Sequence, residues 1–429
     1  MNAPLSKRSD MDRRGFVRSC ALAGAGWLLA APRGAAGNSR EGLPEEILYR
    51  TMTGRLGLVT VDGQARALPE LDPAVATWGA GPILDGGRRV WLNGVGQGRP
   101  WETTAESRFY LLDRVRGRVD ELVWPRRLAP FVNISHGLPG ERVLGGARVD
   151  GEMRLFTANR DGSDLRELTG PGDGFAYGEA LSPDGARVAY HAVGITAGNS
   201  TPYSIYTVGI DGRDRRLIVR DPAAYCFGPV WSADGAWIAY QKCAYQTDPG
   251  HDRADVWVCR ADGTEARRLD ADGPHWFSTA FGRPPHPGSG SDGSRWSPRA
   301  KVLTYCRLQR GSVPSWQWET GREDRDHFNR AYRPDAARGG SNLLLLDPFG
   351  GARVELTPPV ERRWDFRAAW SPDGLGLAFI RADVGESSQL WHVQADGTNA
   401  RRLPTGPDSI GVDHPRFLPG VPADGKFPG

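Results

Sequence analysis

The side chains best suited to chemistry in this 429-residue chain are its eight histidines. Imidazole binds Mn, Fe, Zn or Cu and moves protons near neutral pH. Seven of them, His136, His191, His251, His275, His286, His327 and His414, fall in predicted loops or at the strand ends beside them, whereas His392 lies inside a predicted strand. No HxH or HExxH spacing places two imidazoles on one element. A shared site must therefore be assembled from distant segments, with His136, His275, His286 and His414 as candidate metal ligands. Charged residues accompany them: Glu179, Asp292, Asp365 and Arg367. Arginine in that setting suits a carboxylated or phosphorylated ligand through bidentate contacts. Two long segments, 274–295 and 309–341, add Trp316, Trp318 and Arg325 as binding candidates. Loops of that length are commonly functional, and the aromatic content predicts an ordered lid or wall.

Other chemistries find no residues. There is no G-x-S-x-G, and no hydrolase domain is expected after the last repeat. Neither a P-loop nor a dinucleotide fingerprint occurs. The many Asp-Gly pairs lack the alternating acids of a calcium loop. Cys226, Cys243, Cys259 and Cys306 remain once Cys20 is set aside with the N-terminal segment. A hairpin folded about Asp234-Gly235 sets Cys226 opposite Cys243 and predicts a disulfide; a one-residue bulge would break that register. Cys259 and Cys306 read as small buried hydrophobes.

These residues must be positioned by short strands. Gly 56 and Pro 33, without a collagen period, mean many turns. Four segments superpose: Leu181-Ser182-Pro183-Asp184-Gly185, Trp231-Ser232-Ala233-Asp234-Gly235, Trp296-Ser297-Pro298-Arg299 and Trp370-Ser371-Pro372-Asp373-Gly374, each followed by a β-branched or aromatic strand. A second hairpin follows at Asp161-Gly162, Asp211-Gly212, Asp262-Gly263 and Asp396-Gly397. One unit is thus four antiparallel strands, as in a propeller blade. These motifs resemble the WD40-like PD40 repeats of TolB-like β-propellers. The expected fold is all-β, a seven-bladed propeller of four-stranded antiparallel blades. His414-Pro415-Arg416-Phe417 pairs with strands near residues 48–68, so both termini close the last blade. In such a fold the candidate residues gather at the mouth of the central channel.

The first 36 residues read as an address. Arg13-Arg14-Gly15-Phe16-Val17-Arg18 precedes a short Ala/Gly-rich apolar run and the small residues Gly34-Ala35-Ala36. That order resembles a twin-arginine export signal, so the expected domains are a signal peptide, 1–36, and one propeller, 37–429. The signal holds six bases and two acids, and its removal turns a net charge of +3 into −1. A near-neutral protein excludes a nucleic-acid partner of the general electrostatic kind, and no later run is apolar enough to span a membrane. The expectation is a periplasmic or secreted monomer. The resemblance implies a non-catalytic binder of an envelope protein or acidic glycan at the mouth face. Oligogalacturonate lyases share the architecture and imply an alternative: a metal-assisted lyase of acidic oligosaccharides, in which a divalent metal is the cofactor.

Overall fold

The computed structural model describes residues 42–96, 106–124, 131–196, 199–200, 202–244, 253–277, 293–318, 330–383, 386–406 and 411–422. Residues 1–36, His251, His286, Asp292, Arg325 and His327 lie outside the described residues. Trp316 and Trp318 are described by backbone alone, in a strand paired with Arg330–Tyr332. Among the described residues there is no α-helix, and no helix long and apolar enough to cross a membrane.

Five antiparallel sheets carry the four-stranded blade pattern. Their first strands are Thr77–Leu84, Val132–Leu138, Phe175–Leu181, Ala224–Trp231 and Val412–Leu418. The last pairs with Glu46–Thr51, whose neighbours are Leu56–Thr60 and Ala65–Arg66, so both ends of the chain share one sheet. Five separate blades replace the expected seven because eight further strands form one sheet, with two short two-stranded ribbons beside them. In that sheet the units beginning at Arg295–Trp296 and Arg363–Trp370 are joined by a parallel bridge, Ser341 to Trp364. Each core is shared between neighbouring sheets. Trp91 and Phe109 pack on Ile134 and Phe156 of the next sheet, for example.

The repeat residues act as the turn chemistry requires. In the second repeat Ser232 Oγ donates to Asp234 Oδ1 at 2.6 Å, and that oxygen also accepts the Ala236 N–H. Gly235 takes the left-handed backbone (φ 68°) that closes the turn. The tryptophan opening the motif has a separate task. Trp231 Nε1 donates to Ala180 O at 3.1 Å, Trp296 Nε1 to Val230 O at 3.2 Å and Trp370 Nε1 to Arg295 O at 3.3 Å. Each indole therefore ties its strand to the first strand of the preceding unit.

The predicted Cys226–Cys243 disulfide is corrected by the register. A bulge between Phe227 and Val230 shifts the hairpin, so Cys226 faces Lys242 and Tyr225 faces Cys243. A one-residue slip sends the two thiols to opposite faces of the sheet. Cys226 packs with Ile238 and Tyr240, whereas Cys243 packs with Tyr225 and Trp276.

Ring closure is locked by one buried arginine. Arg114 donates to Glu46 Oε2 from Nη2 at 2.8 Å and from Nε at 3.0 Å. It also donates to Pro419 O at 2.8 Å and Pro44 O at 3.3 Å, and thus holds both closing segments. Both partners are almost wholly buried. Arg114→Met removes both hydrogen bonds to the buried Glu46 carboxylate and leaves it only Arg66, a half-exposed guanidinium whose Nε lies 3.4 Å from Oε1, a loss of about 3 kcal/mol. Urea unfolding should show that drop, and Arg114→Met combined with Glu46→Leu should recover part of it.

Candidate functional site

The first strands enclose a channel of about 780 Å³. Six of the seven inner strands carry a bulge, the exception being Arg295–Trp296. Register shifts fall between Ala80 and Ile83, Ile134 and His136, Tyr177 and Ala180, Phe227 and Val230, and Phe366 and Ala369; the equivalent shift in the closing strand lies opposite Leu48 and Arg50. A bulge re-aims the side chains around it; here Ser135, His136, Glu179 and His414 border the channel. Aligned on these bulges, the leading residue is Gly81, Ser135, Gly178 or Gly228 in four strands, but Arg367 and His414 in the other two.

Those two are the chemically distinctive positions. Arg367 (φ 54°) and His414 (φ 51°) hold the left-handed backbone that Gly178 and Gly228 hold elsewhere. A non-glycine residue there stores of order 1–3 kcal/mol of strain, and such strain concentrates at functional sites. At the glycine positions the space behind is filled from the second strand. A Cβ on Gly178 would lie 2.3 Å from the His191 ring, and one on Gly228 2.6 Å from the Gln241 amide. Arg367 and His414 supply their own side chains instead, and these touch each other, Arg367 Nη1 on His414 Nε2.

Asp413 organises the pair. Its Oδ1 takes Arg367 Nε at 3.0 Å and the His414 N–H at 2.9 Å, while Oδ2 lies 3.2 Å from His414 Nδ1. The carboxylate therefore favours the tautomer with the proton on Nδ1, leaving Nε2 to accept from Arg367. Arg50 Nη2 also approaches Nδ1, at 3.1 Å. The imidazole is 42% exposed, but onto the channel. Burial first, and then the Arg367 charge, push its pKa down against the pull of Asp413. The ring is thus a neutral hydrogen-bonding group rather than a cation. Asp413 is held well below the usual carboxylate range: Arg367 and His414 outweigh the burial that opposes them.

Across the channel Glu179 stands beside Ser135, whose Oγ lies 3.0 Å from His136 Nδ1. Burial raises the Glu179 carboxyl and lowers His136 to about 4, with the charges of Arg416 and Arg295 adding to the latter. Of the described sequence candidates, His136, Glu179 and His414 line the channel. His191 and His275 do not. The His191 ring packs on Tyr177 and Tyr203, and Nδ1 accepts the Gly228 N–H at 3.4 Å. His275 is buried between Asp255 and Asp270, near Tyr305, whose hydroxyl donates to Asp270 at 2.8 Å. Asp365 is fully buried in a bidentate pair with Arg381, at 2.7 and 2.8 Å, and Arg367 is turned inward onto Asp413. Sequence reasoning missed Arg50, Arg295, Arg416 and Asp413. The available signal was His414-Pro415 standing where Gly228-Pro229 stands in an earlier repeat.

A divalent metal does not fit the described wall. Among the described residues no three His, Cys, Asp or Glu side chains come together as a ligand set. The His414 nitrogens are already met by Asp413, Arg367 and Arg50, and two guanidiniums repel a cation.

No family model matches the chain. A curated relative, the uncharacterized peptidase YuxL of Bacillus subtilis, is 37% identical over 79 residues, which is 18% of this chain and 11% of that protein. Among solved structures, a puromycin-hydrolyzing peptidase of Mycobacterium tuberculosis aligns with a TM-score of 0.55 at 14% identity, over 86% of this chain and 54% of its own. The fold is a β-propeller. A putative TolB of Agrobacterium tumefaciens aligns at 0.44 and 17% identity, over 85% of this chain and 99% of its own. An oligogalacturonate lyase in complex with manganese aligns at 0.43 and 13%, over 85% and 99%. At such identities these are likenesses of fold. The chain spans about half the length of the peptidase and a small fraction of the curated relative.

Burial holds His191 at about 3, against an ordinary value of 6.5. The folded state then refuses a proton that the unfolded chain accepts. Stability is complete above pH 6.5 and is lost as pH falls toward 3. His191→Gln should be less stable than the parent at pH 7, yet show a shallower loss of stability between pH 6 and 4 in denaturant titrations.

Proposed function

We propose that this protein is an exported, TolB-like binding protein that receives a partner protein or ligand through the mouth of its channel, without converting it. In this reading the eight-stranded sheet serves as two blades, giving a seven-bladed ring. Residues 1–36 direct export by the twin-arginine route to the periplasm or outside the cell, and the protein acts as a monomer. The observation that carries the reading is the channel wall itself. Its polar groups are presented largely by bulged strands, and they form a fixed hydrogen-bonding surface rather than a nucleophile with a base or a metal-ligand set.

The lyase alternative asks for several imidazoles around a cation. His191 and His275 are committed to contacts inside the sheets, so among the described residues His136 and His414 alone reach the channel.

Gly79 faces open channel space, where an added Cβ meets nothing closer than Asn93 O at 3.9 Å. Gly79→Phe should keep the melting temperature within a few degrees while plugging the channel. Binding of acidic oligosaccharides and of purified envelope proteins should be measured for both forms by calorimetry. The expected outcome is saturable binding to the parent, loss of binding in Gly79→Phe, and no unsaturated sugar product. Turnover of an oligosaccharide would overturn the non-catalytic reading.

A further inference from the structure

The charges on the channel wall are unbalanced. The lining includes three guanidiniums, Arg50, Arg295 and Arg416, against one carboxylate, Glu179. Burial favours the neutral form of that carboxyl, which weakens even this counter-charge. Neither Arg50 nor Arg416 has a carboxylate within 4 Å among the described residues. Arg416 reaches one backbone acceptor, Ala80 O, at 3.3 Å. Arg50 faces His414 Nδ1, the nitrogen whose proton Asp413 claims. Both Asp413 oxygens are already engaged by Arg367 and His414. Donors thus outnumber acceptors along the closing strand, and the surplus N–H groups border the channel. Crowded cations without matching anions are costly inside a protein, and an incoming oxyanion relieves that cost by accepting charge-assisted hydrogen bonds. The left-handed backbone at His414 fixes the ring that backs Arg50, so the donors are set before a ligand arrives.

We propose that Arg50, His414 and Arg416 form a binding site for a carboxylate or phosphate group, which is the feature by which the channel recognises its ligand. The inference rests on the channel being the binding site. Arg50 and Arg416 supply the charge. Arg367 and Asp413 are positioning residues, because they hold His414 and do not face the channel.

The test is titration of the full chain with citrate and, separately, inorganic phosphate, at constant ionic strength set with sodium chloride. Intrinsic fluorescence reports the channel, since Trp296 and Trp370 line it. Saturable binding of at least one anion is expected, and the stronger of the two identifies the group as carboxylate or phosphate. Arg50→Gln and Arg416→Gln should each weaken binding tenfold or more. Arg50→Lys should recover part of the loss, and Arg118→Gln, on an exposed outer strand, should change nothing. Two results would overturn the site: no saturable response to either anion, or equal affinity in parent, Arg50→Gln and Arg416→Gln with folding confirmed by circular dichroism. Unchanged anion binding in Gly79→Phe would also overturn it, by placing the anion outside the channel. Anion binding that follows these variants, in a protein that binds no oligosaccharide or envelope protein, would support the site while defeating the broader function.

Discussion

Everything in this molecule depends on the pairing of Val412–Leu418 with Glu46–Thr51. A sheet with a free edge is a template for another chain, and a ring removes that hazard only if its ends meet. The closure is made by about half a dozen residues from each end, so it needs help beyond its ladder. Arg114 provides it by bridging Glu46, Pro44 and Pro419 from a neighbouring sheet. The ion pair is fully buried, and its desolvation cost is offset by the backbone carbonyls that take the remaining guanidinium donors. The same closing strand carries Asp413, His414 and Arg416, so the stability of closure and the geometry of the candidate site are one problem.

The fold was legible because repeats announce themselves. Ser-Pro-Asp-Gly and Asp-Gly each encode a turn by local chemistry, and Ser232, Asp234 and Gly235 form it by hydrogen bonds within five residues. Interactions of that range are written in sequence. What the motif tryptophans do was not legible, because their partners, such as Ala180 for Trp231, lie 51 residues away. The expected Cys226–Cys243 bond failed for a related reason. The bulge after Phe227 recurs in most of the inner strands, and its one local sign is Gly228-Pro229, whose meaning shows only when the repeats are aligned on their bulges. The bridge from Ser341 to Trp364, which merges two units into one sheet, was equally silent.

The candidate site was legible in part. His136, Arg367 and His414 were identified by type and position, but type alone could not separate them from His191, His275 and Asp365. Burial and partners make that separation. His191 fills the hollow behind Gly178, and Asp365 is spent on Arg381. Both are polar groups whose hydrogen bonds are completed inside the sheets, where leaving them unmet would be costly. The missed residues share a different property. Arg50 is an ordinary strand residue in sequence and becomes part of a site only because the chain ends meet beside it.

Departure from the repeat proves more informative than the repeat itself. Most bulges are led by glycine or serine, the cheap solution for a backbone that must turn in a crowded place. Placing Arg367 and His414 there costs conformational energy and sets a guanidinium against an imidazole, whose charged form it opposes and which Asp413 holds in place. A structure selected for stability alone has no reason to accept that combination at two contacting positions while solving the same problem with glycine elsewhere. The strain is justified if the ring of His414 must be held at a fixed angle behind Arg50, with its proton directed to Asp413 and its charge suppressed by burial and by Arg367. A neutral, immobile imidazole between guanidiniums adds no repulsion and keeps their donors spaced. In a protein whose net charge is close to zero once the N-terminal segment is set aside, long-range attraction is weak. Recognition must then come from donors fixed at short range, and the closing strand is where the fold supplies them.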